Sequence, residues 1–162
     1  LILGGARSGK SRYAEGLLAQ NPAPWAYIAT GQAFDGEMEA RIAEHRARRG
    51  EGWRTVEAPV DLAGALLEAP AMPALVDCLT LWLTNLMLGE HDIVGAVTAL
   101  EAALALRSAP TILVASEVGL GIVPETKLGR AFRDEAGKLH QRLAAGADRV
   151  LFMVAGLPMI VK

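Results

Sequence analysis

One cysteine, Cys78, stands in 162 residues. Internal disulfides and cysteine-rich metal sites are therefore excluded, and a lone thiol at a strand end reads as small buried packing. A surplus of one charge is missing too. The 16 basic and 18 acidic residues leave a formal −2, which gives no electrostatic footprint for nucleic acid. Long apolar runs are lacking as well: the longest, Val150 to Val161, is broken by Gly156 and Pro158 and falls short of the ~20 residues that cross a bilayer. No basic segment with a small-residue cleavage site precedes Leu1, and the reading is of a cytoplasmic protein with no membrane span. Without repeats, low-complexity tracts or linker-like stretches, residues 1–162 are read as one domain.

What is present alternates short apolar runs with helical spacing. Leu1 to Leu3 reads as a strand, Lys10 to Gln20 as a helix stopped by Asn21-Pro22, Trp25 to Thr30 and Trp53 to Glu57 as strands, with a helix over Asp35 to Arg49 between them. Asp61 caps a short helix, Ala74 to Val76 is a buried strand ending on Asp77, and Leu79 to Leu88 with Ile93 to Arg107 supply helices. Thr111 to Ser116 is the next strand, Glu125 to Ala145 the longest helix with Gly146 as its stop, and Val150 to Val154 the last strand. Strands separated by helices predict an α/β fold with a mainly parallel sheet covered on both faces.

Gly4-Gly5-Ala6-Arg7-Ser8-Gly9-Lys10-Ser11 satisfies G-x-x-x-x-G-K-[ST] between a strand and a helix start. Glycines let backbone N–H groups and the positive helix end wrap phosphate oxygens, Lys10 adds a mobile charge for the outer phosphates, and Ser11 is placed to ligate Mg2+. A second carboxylate for that metal is expected at the end of a neighbouring buried strand. Asp77 fits, although an apolar run ending in Asp also opens many capped turns. Glu57, at the end of another strand, is either a nucleotide contact or a solvated carboxylate.

The segment DGEMEARIAEHRARRGEGW pairs Glu37 with Arg41 and Glu44 with Arg48 at i,i+4, as an exposed helix face would. Met38, Ile42 and His45 share the inward stripe. Periodicity alone makes His45 a packed core histidine. Its neighbours Arg46, Arg48 and Arg49, in a chain with a triphosphate loop, make it instead a candidate nucleophile toward phosphorus, with guanidinium groups stabilising a leaving pyrophosphate. His91 and His140 lack such company and read as ordinary surface or helix residues. Glu117 to Pro124 (EVGLGIVP) follows a strand end and suggests either a shaped, adjustable wall for a large substrate or a plain crossover, with Arg130, Arg133 and Asp134 as a polar cluster beside it or a solvated face.

Taken together, GGARSGKSRYAE, YIATGQ, EMEARIAEHRARR, WRTVE, the strand ending in Asp77, LTNL, SEVGLGIVPET and FRDEAG resemble the family of bifunctional adenosylcobinamide kinase / adenosylcobinamide-phosphate guanylyltransferases of cobalamin biosynthesis. The likeness runs in order over nearly the whole chain. It implies a three-layer P-loop NTPase (RecA-like) domain, ATP or GTP as phosphoryl donor to adenosylcobinamide, and transfer of GMP from GTP to adenosylcobinamide phosphate through a guanylylated histidine that matches His45. The family's nucleotide contacts match Gly4, Gly5, Ala6, Arg7, Ser8, Gly9, Lys10 and Ser11; Thr30, Gly31 and Gln32; Arg46, Ala47, Arg48 and Arg49; and Glu57 and Asp77. A homotrimer is implied, with the corrinoid site completed by a neighbouring subunit. The chain departs from the family in having Arg49-Gly50 where Arg-Pro is common and His140-Gln141 where Asn-Gln is common, and some relatives have Glu at the position of Asp77. From the residues alone, two rivals stand beside this reading: a small-molecule P-loop kinase with a structural His45, and a nucleotide-binding switch that does no chemistry on a second substrate.

Overall fold

A computed structural model describes residues 1–32, 36 and 49–162. The expected helix over 35–49, with His45, Arg46, Ala47 and Arg48, lies outside the described residues except for Gly36 and Arg49. In chain order the elements are β1 (Ile2–Gly4), α1 (Lys10–Leu18), β2 (Trp25–Ala29), β3 (Trp53–Glu57), α2 (Leu62–Leu67), β4 (Ala74–Asp77), α3 (Leu79–Leu88), α4 (Ile93–Leu106), β5 (Thr111–Val114), α5 (Lys127–Gly146), β6 (Leu151–Val154) and β7 (Leu157–Ile160).

The seven strands form one sheet in the order β3-β2-β4-β5-β1-β6-β7. All neighbours are parallel except β6 and β7. Strand alternation sorts the core into two layers. Tyr27, Leu75 and Val114 face α1, where they meet Ala14 and Leu18. Ala26, Ile28, Ala74, Val76, Leu113 and Ala115 face the other way, onto a core containing Leu62, Leu83, Leu100 and Leu139 of α2 to α5. Helices therefore cover both faces, as expected for a three-layer α/β domain.

Several boundaries differ from the sequence reading for local reasons. α1 ends at Leu18, two residues before Gln20, and β5 ends at Val114, two before Ser116. Gly146 is the last helical residue of α5 rather than its stop. β7 is an addition. Ala155 and Gly156 both have positive φ, 50° and 81°, the conformation a two-residue hairpin turn requires. Pro158 and Gly156 disguise this segment in the sequence, and proline is tolerated there because β7 is the sheet edge. Asp61 caps α2 as expected, its Oδ1 accepting the Gly64 N–H at 2.8 Å.

β1 lies between β5 and β6. From β1 the chain passes to α1 on one face, and from β5 it passes to α5 on the other. The loops after these adjacent parallel strands thus diverge, which opens a crevice at their carboxyl ends, the usual ligand position in such sheets.

Candidate functional site

One lip of the crevice is the loop Gly4 to Ser11. Gly4 has φ 152°, and a Cβ there would lie 2.7 Å from the Met153 carbonyl oxygen, so only glycine lets β1 turn this close to β6. Gly9, at φ 89°, precedes α1, whose N-terminus has no side-chain cap. Its first-turn amides are then directed to whatever the loop encloses. Ser8 Oγ is buried with no hydrogen-bond partner among the described residues. The Lys10 side chain is buried and donates from Nζ to the Gly5 carbonyl at 2.7 Å. Burial lowers the Lys10 pKa, while the fields of Cys78 and Asp77 act to raise it. Donor-rich, glycine-turned and carrying an orphaned hydroxyl, the loop has the groups that phosphate oxygens would take.

Asp77 ends β4 at the same level of the sheet as Ala29, which in turn is level with Glu57. It shares the α1 face with Tyr27 and Leu75 by strand parity. The Tyr27 hydroxyl donates to Asp77 Oδ2 at 3.0 Å. Burial, and then the Asp77 carboxylate, push the phenol pKa well up, so it stays a donor. Arg49 stacks on the same ring, its Cζ 3.5 Å from the centroid, and Trp53 meets that ring edge-on at 6.2 Å. Arg49 Nη1 is buried with no hydrogen-bond partner among the described residues, which leaves an oriented donor suited to an anion. Tyr27 was missed in the sequence; its one signal is a position two residues before the carboxyl end of β2, on the face that Asp77 shares.

Of the other expected nucleotide contacts, Thr30 is fully buried. Its Oγ1 donates to the Cys78 carbonyl at 2.7 Å and accepts the Cys78 N–H at 2.9 Å. Asn85 Nδ2 donates to the Thr30 and Pro59 carbonyls at 2.8 and 2.9 Å. The Thr30 side chain thus holds the chain just after Asp77. Gly31 is half-buried and Gln32 exposed at the same edge. Glu57 is exposed on β3, two strands from β4 and so ~10 Å from Asp77. The Cys78 thiol, pushed up to about 11 first by burial and then by Asp77, stays protonated, in keeping with a packing role.

The second lip runs from Glu117 to Thr126. Its start is bonded to the first, the Glu117 N–H donating to the Gly4 carbonyl at 3.0 Å. Glu117 Oε1 accepts the Gly119 N–H, and Arg133 donates to the Gly119 carbonyl. Arg130 Nη1 donates to the Pro124 and Glu125 carbonyls at 3.0 and 2.6 Å. Two of the three residues expected as a polar cluster therefore hold this loop. His140, read as an ordinary surface or helix residue, is a helix residue, buried on α5 with Nδ1 3.5 Å from Glu117 Oε2 and with no hydrogen-bond partner at Nδ1 among the described residues. Burial lowers its pKa, and the Glu117 carboxylate opposes that. His91 is exposed, as expected.

The structure thus brings Gly4 to Ser11, Lys10 and Asp77 to one edge with Arg49 beside them, and leaves Glu57 farther along it. A family model described as cobinamide kinase / cobinamide phosphate guanyltransferase matches residues 1–161. The chain belongs to that family. Among relatives of this cobinamide kinase / guanyltransferase chain, the bifunctional adenosylcobalamin biosynthesis protein CobP of Pseudomonas aeruginosa is 55% identical over 166 residues, which cover 100% of this chain and 96% of the relative. The bifunctional adenosylcobalamin biosynthesis protein CobU of Salmonella typhimurium is 42% identical over 179 residues, covering 100% and 98%. Its namesake in Escherichia coli is 42% identical over 180 residues, with the same coverage. No helix among the described residues is long and apolar enough to cross a membrane.

Proposed function

We propose that this protein phosphorylates adenosylcobinamide with ATP or GTP and then transfers GMP from GTP to adenosylcobinamide phosphate, giving adenosylcobinamide-GDP and pyrophosphate. The observation that carries the reading is the phosphate cradle at the sheet's switch point, in a chain that a cobinamide kinase / guanyltransferase model matches from residue 1 to 161. In the first step the acceptor hydroxyl oxygen bonds to the γ-phosphorus as the bond to the nucleoside diphosphate breaks. Lys10 and the loop amides of Gly4, Gly5, Ala6, Arg7, Ser8, Gly9 and Ser11 stabilise charge on the transferring group.

In the second step an imidazole nitrogen of His45 attacks the α-phosphorus of GTP and pyrophosphate leaves. The resulting phosphoramidate passes GMP to a phosphate oxygen of the acceptor. Arg46, Ala47, Arg48 and Arg49 belong to this nucleotide site, and the orphaned Arg49 Nη1 supports an anion beside Tyr27. Thr30, Gly31, Gln32 and Glu57 complete the nucleotide contacts along the edge. Ser11 and Asp77 would hold Mg2+. Two hard oxygen donors suit an ion whose other positions are phosphate and water, and no cluster of three acidic, His or Cys residues for a metal occurs among the described residues. When bound, Mg2+ supplies neutralisation of phosphate charge.

Residues 1–162 act as one nucleotide-binding domain in the cytoplasm, as a homo-oligomer, a trimer by family resemblance. Exposed apolar side chains at the β7 edge, Leu157, Met159 and Ile160, support self-association. GTP labelled at the α-phosphate, offered without corrinoid, tests the second step. Label retained covalently, lost in acid and stable in alkali, is expected; undiminished label in His45→Ala removes the histidine from the reaction and leaves a kinase. Failure to phosphorylate adenosylcobinamide during turnover leaves only a nucleotide switch.

A further inference from the structure

We propose that the loop from Glu117 to Thr126 is the seat for the apolar part of the corrinoid acceptor, a subsite formed chiefly by Leu120, Ile122 and Val123 with Leu128 at the start of α5. The inference rests on the function proposed above and adds to it where the acceptor lies.

Position comes first. The loop leaves β5 while the phosphate loop leaves the adjacent β1 toward the opposite face, and the two are joined by the Glu117 N–H to Gly4 carbonyl bond of 3.0 Å. An acceptor whose hydroxyl is brought to ~3 Å from a phosphorus held by Gly4 to Ser11 extends the rest of its bulk over this neighbouring lip.

The chemistry of the lip then selects what it meets. Several of its polar groups brace the loop: Glu117 accepts the Gly119 N–H, Arg133 donates to the Gly119 carbonyl, Arg130 donates to the Pro124 and Glu125 carbonyls, and Thr126 Oγ1 accepts the Gly129 N–H at 3.1 Å. Val118 packs against the larger core. Outward lie Leu120, Ile122, Val123 and Leu128, 81%, 97%, 60% and 55% exposed, with Glu125 and Lys127 exposed beside them. A loop tied down at five polar points loses little freedom when it binds. Apolar side chains on a braced loop beside a phosphate site suit a broad ligand with apolar as well as polar groups, as a corrin ring with peripheral methyl groups, amide side chains and an aminopropanol arm is.

The experiment measures adenosylcobinamide binding by equilibrium dialysis, read by the visible absorbance of the corrin, together with the KM for ATP and the molar mass by light scattering. For Leu120→Ser with Ile122→Ser, corrinoid affinity should weaken by about ten-fold or more, with ATP KM, GTP-derived label and mass unchanged. Unchanged corrinoid affinity overturns the proposal. So does a smaller mass accompanying the loss, since the loop would then be a contact between copies of the chain. Should the double variant also lose GTP labelling, Ile122→Ser alone decides by the same measures. Wild-type protein that binds the corrinoid on this loop without phosphorylating it would overturn the function proposed above and leave the subsite standing.

Discussion

Replacing Thr30 by Val should loosen the chain just after Asp77 without changing side-chain volume. Thr30 is fully buried, and its Oγ1 donates to the Cys78 carbonyl at 2.7 Å while accepting the Cys78 N–H at 2.9 Å. Valine removes both bonds. The Cys78 carbonyl keeps a second donor, the Trp82 N–H at 3.1 Å, so the penalty falls mainly on the Cys78 amide. An orphaned buried N–H costs about 1–3 kcal/mol and the second lost bond about 1 kcal/mol, giving a destabilisation of about 2–4 kcal/mol. For a chain of this length that is a fall of about 4–16 °C in Tm, measurable by circular dichroism. Thr30→Ser keeps the oxygen and deletes one methyl group, about 1 kcal/mol, so its Tm should fall by only about 2–4 °C. A valine variant melting within about 2 °C of wild type, or a serine variant melting below the valine one, would refute the assignment of this hydroxyl as the tie that holds the strand end.

Two further outcomes follow from the same edge of the sheet. Tyr27→Phe removes the hydroxyl that bonds Asp77 and keeps the ring under Arg49; phosphoryl transfer should slow about ten-fold, the value of one hydrogen bond to a charged group, while α-labelling by GTP stays near wild type, and equal rates in both assays would refute it. Burial holds the His140 pKa below its usual 6.5, so the unfolded chain binds the extra proton first and the contribution of neutral His140 to stability, complete above pH 6.5, declines as pH falls below it. Melting curves between pH 7.5 and 5.5 should show that decline, and His140→Asn should flatten it.

Much of the fold was legible because its signals are local. Short continuous apolar runs at Trp25–Ala29 and at the start of Ala74–Asp77, turn residues at their ends and helical spacing between them mark a parallel sheet wherever they fall in the chain. The glycine loop was legible for the same reason, since Gly4 and Gly9 meet a backbone requirement of their own turn. β7 was not, because Gly156 and Pro158 are breaker residues in isolation, and only the edge position makes a strand with proline stable.

The candidate site's residues could be named from the sequence, but not their partnerships. Sequence by itself determined that a G-x-x-x-x-G-K-S loop, an apolar run ending in a carboxylate and a histidine followed by three arginines, His45 to Arg49, occur in one chain. The tertiary structure decided which side chains hold that carboxylate: Tyr27, 50 residues away, reaches Asp77 because β2 and β4 are neighbours in register. It also buried His140 on α5 with Nδ1 3.5 Å from Glu117 Oε2. Spacing along the chain governs the conformation of a loop or helix, whereas contact between distant groups depends on strand order and on the face each side chain takes, and both are fixed only when the sheet assembles.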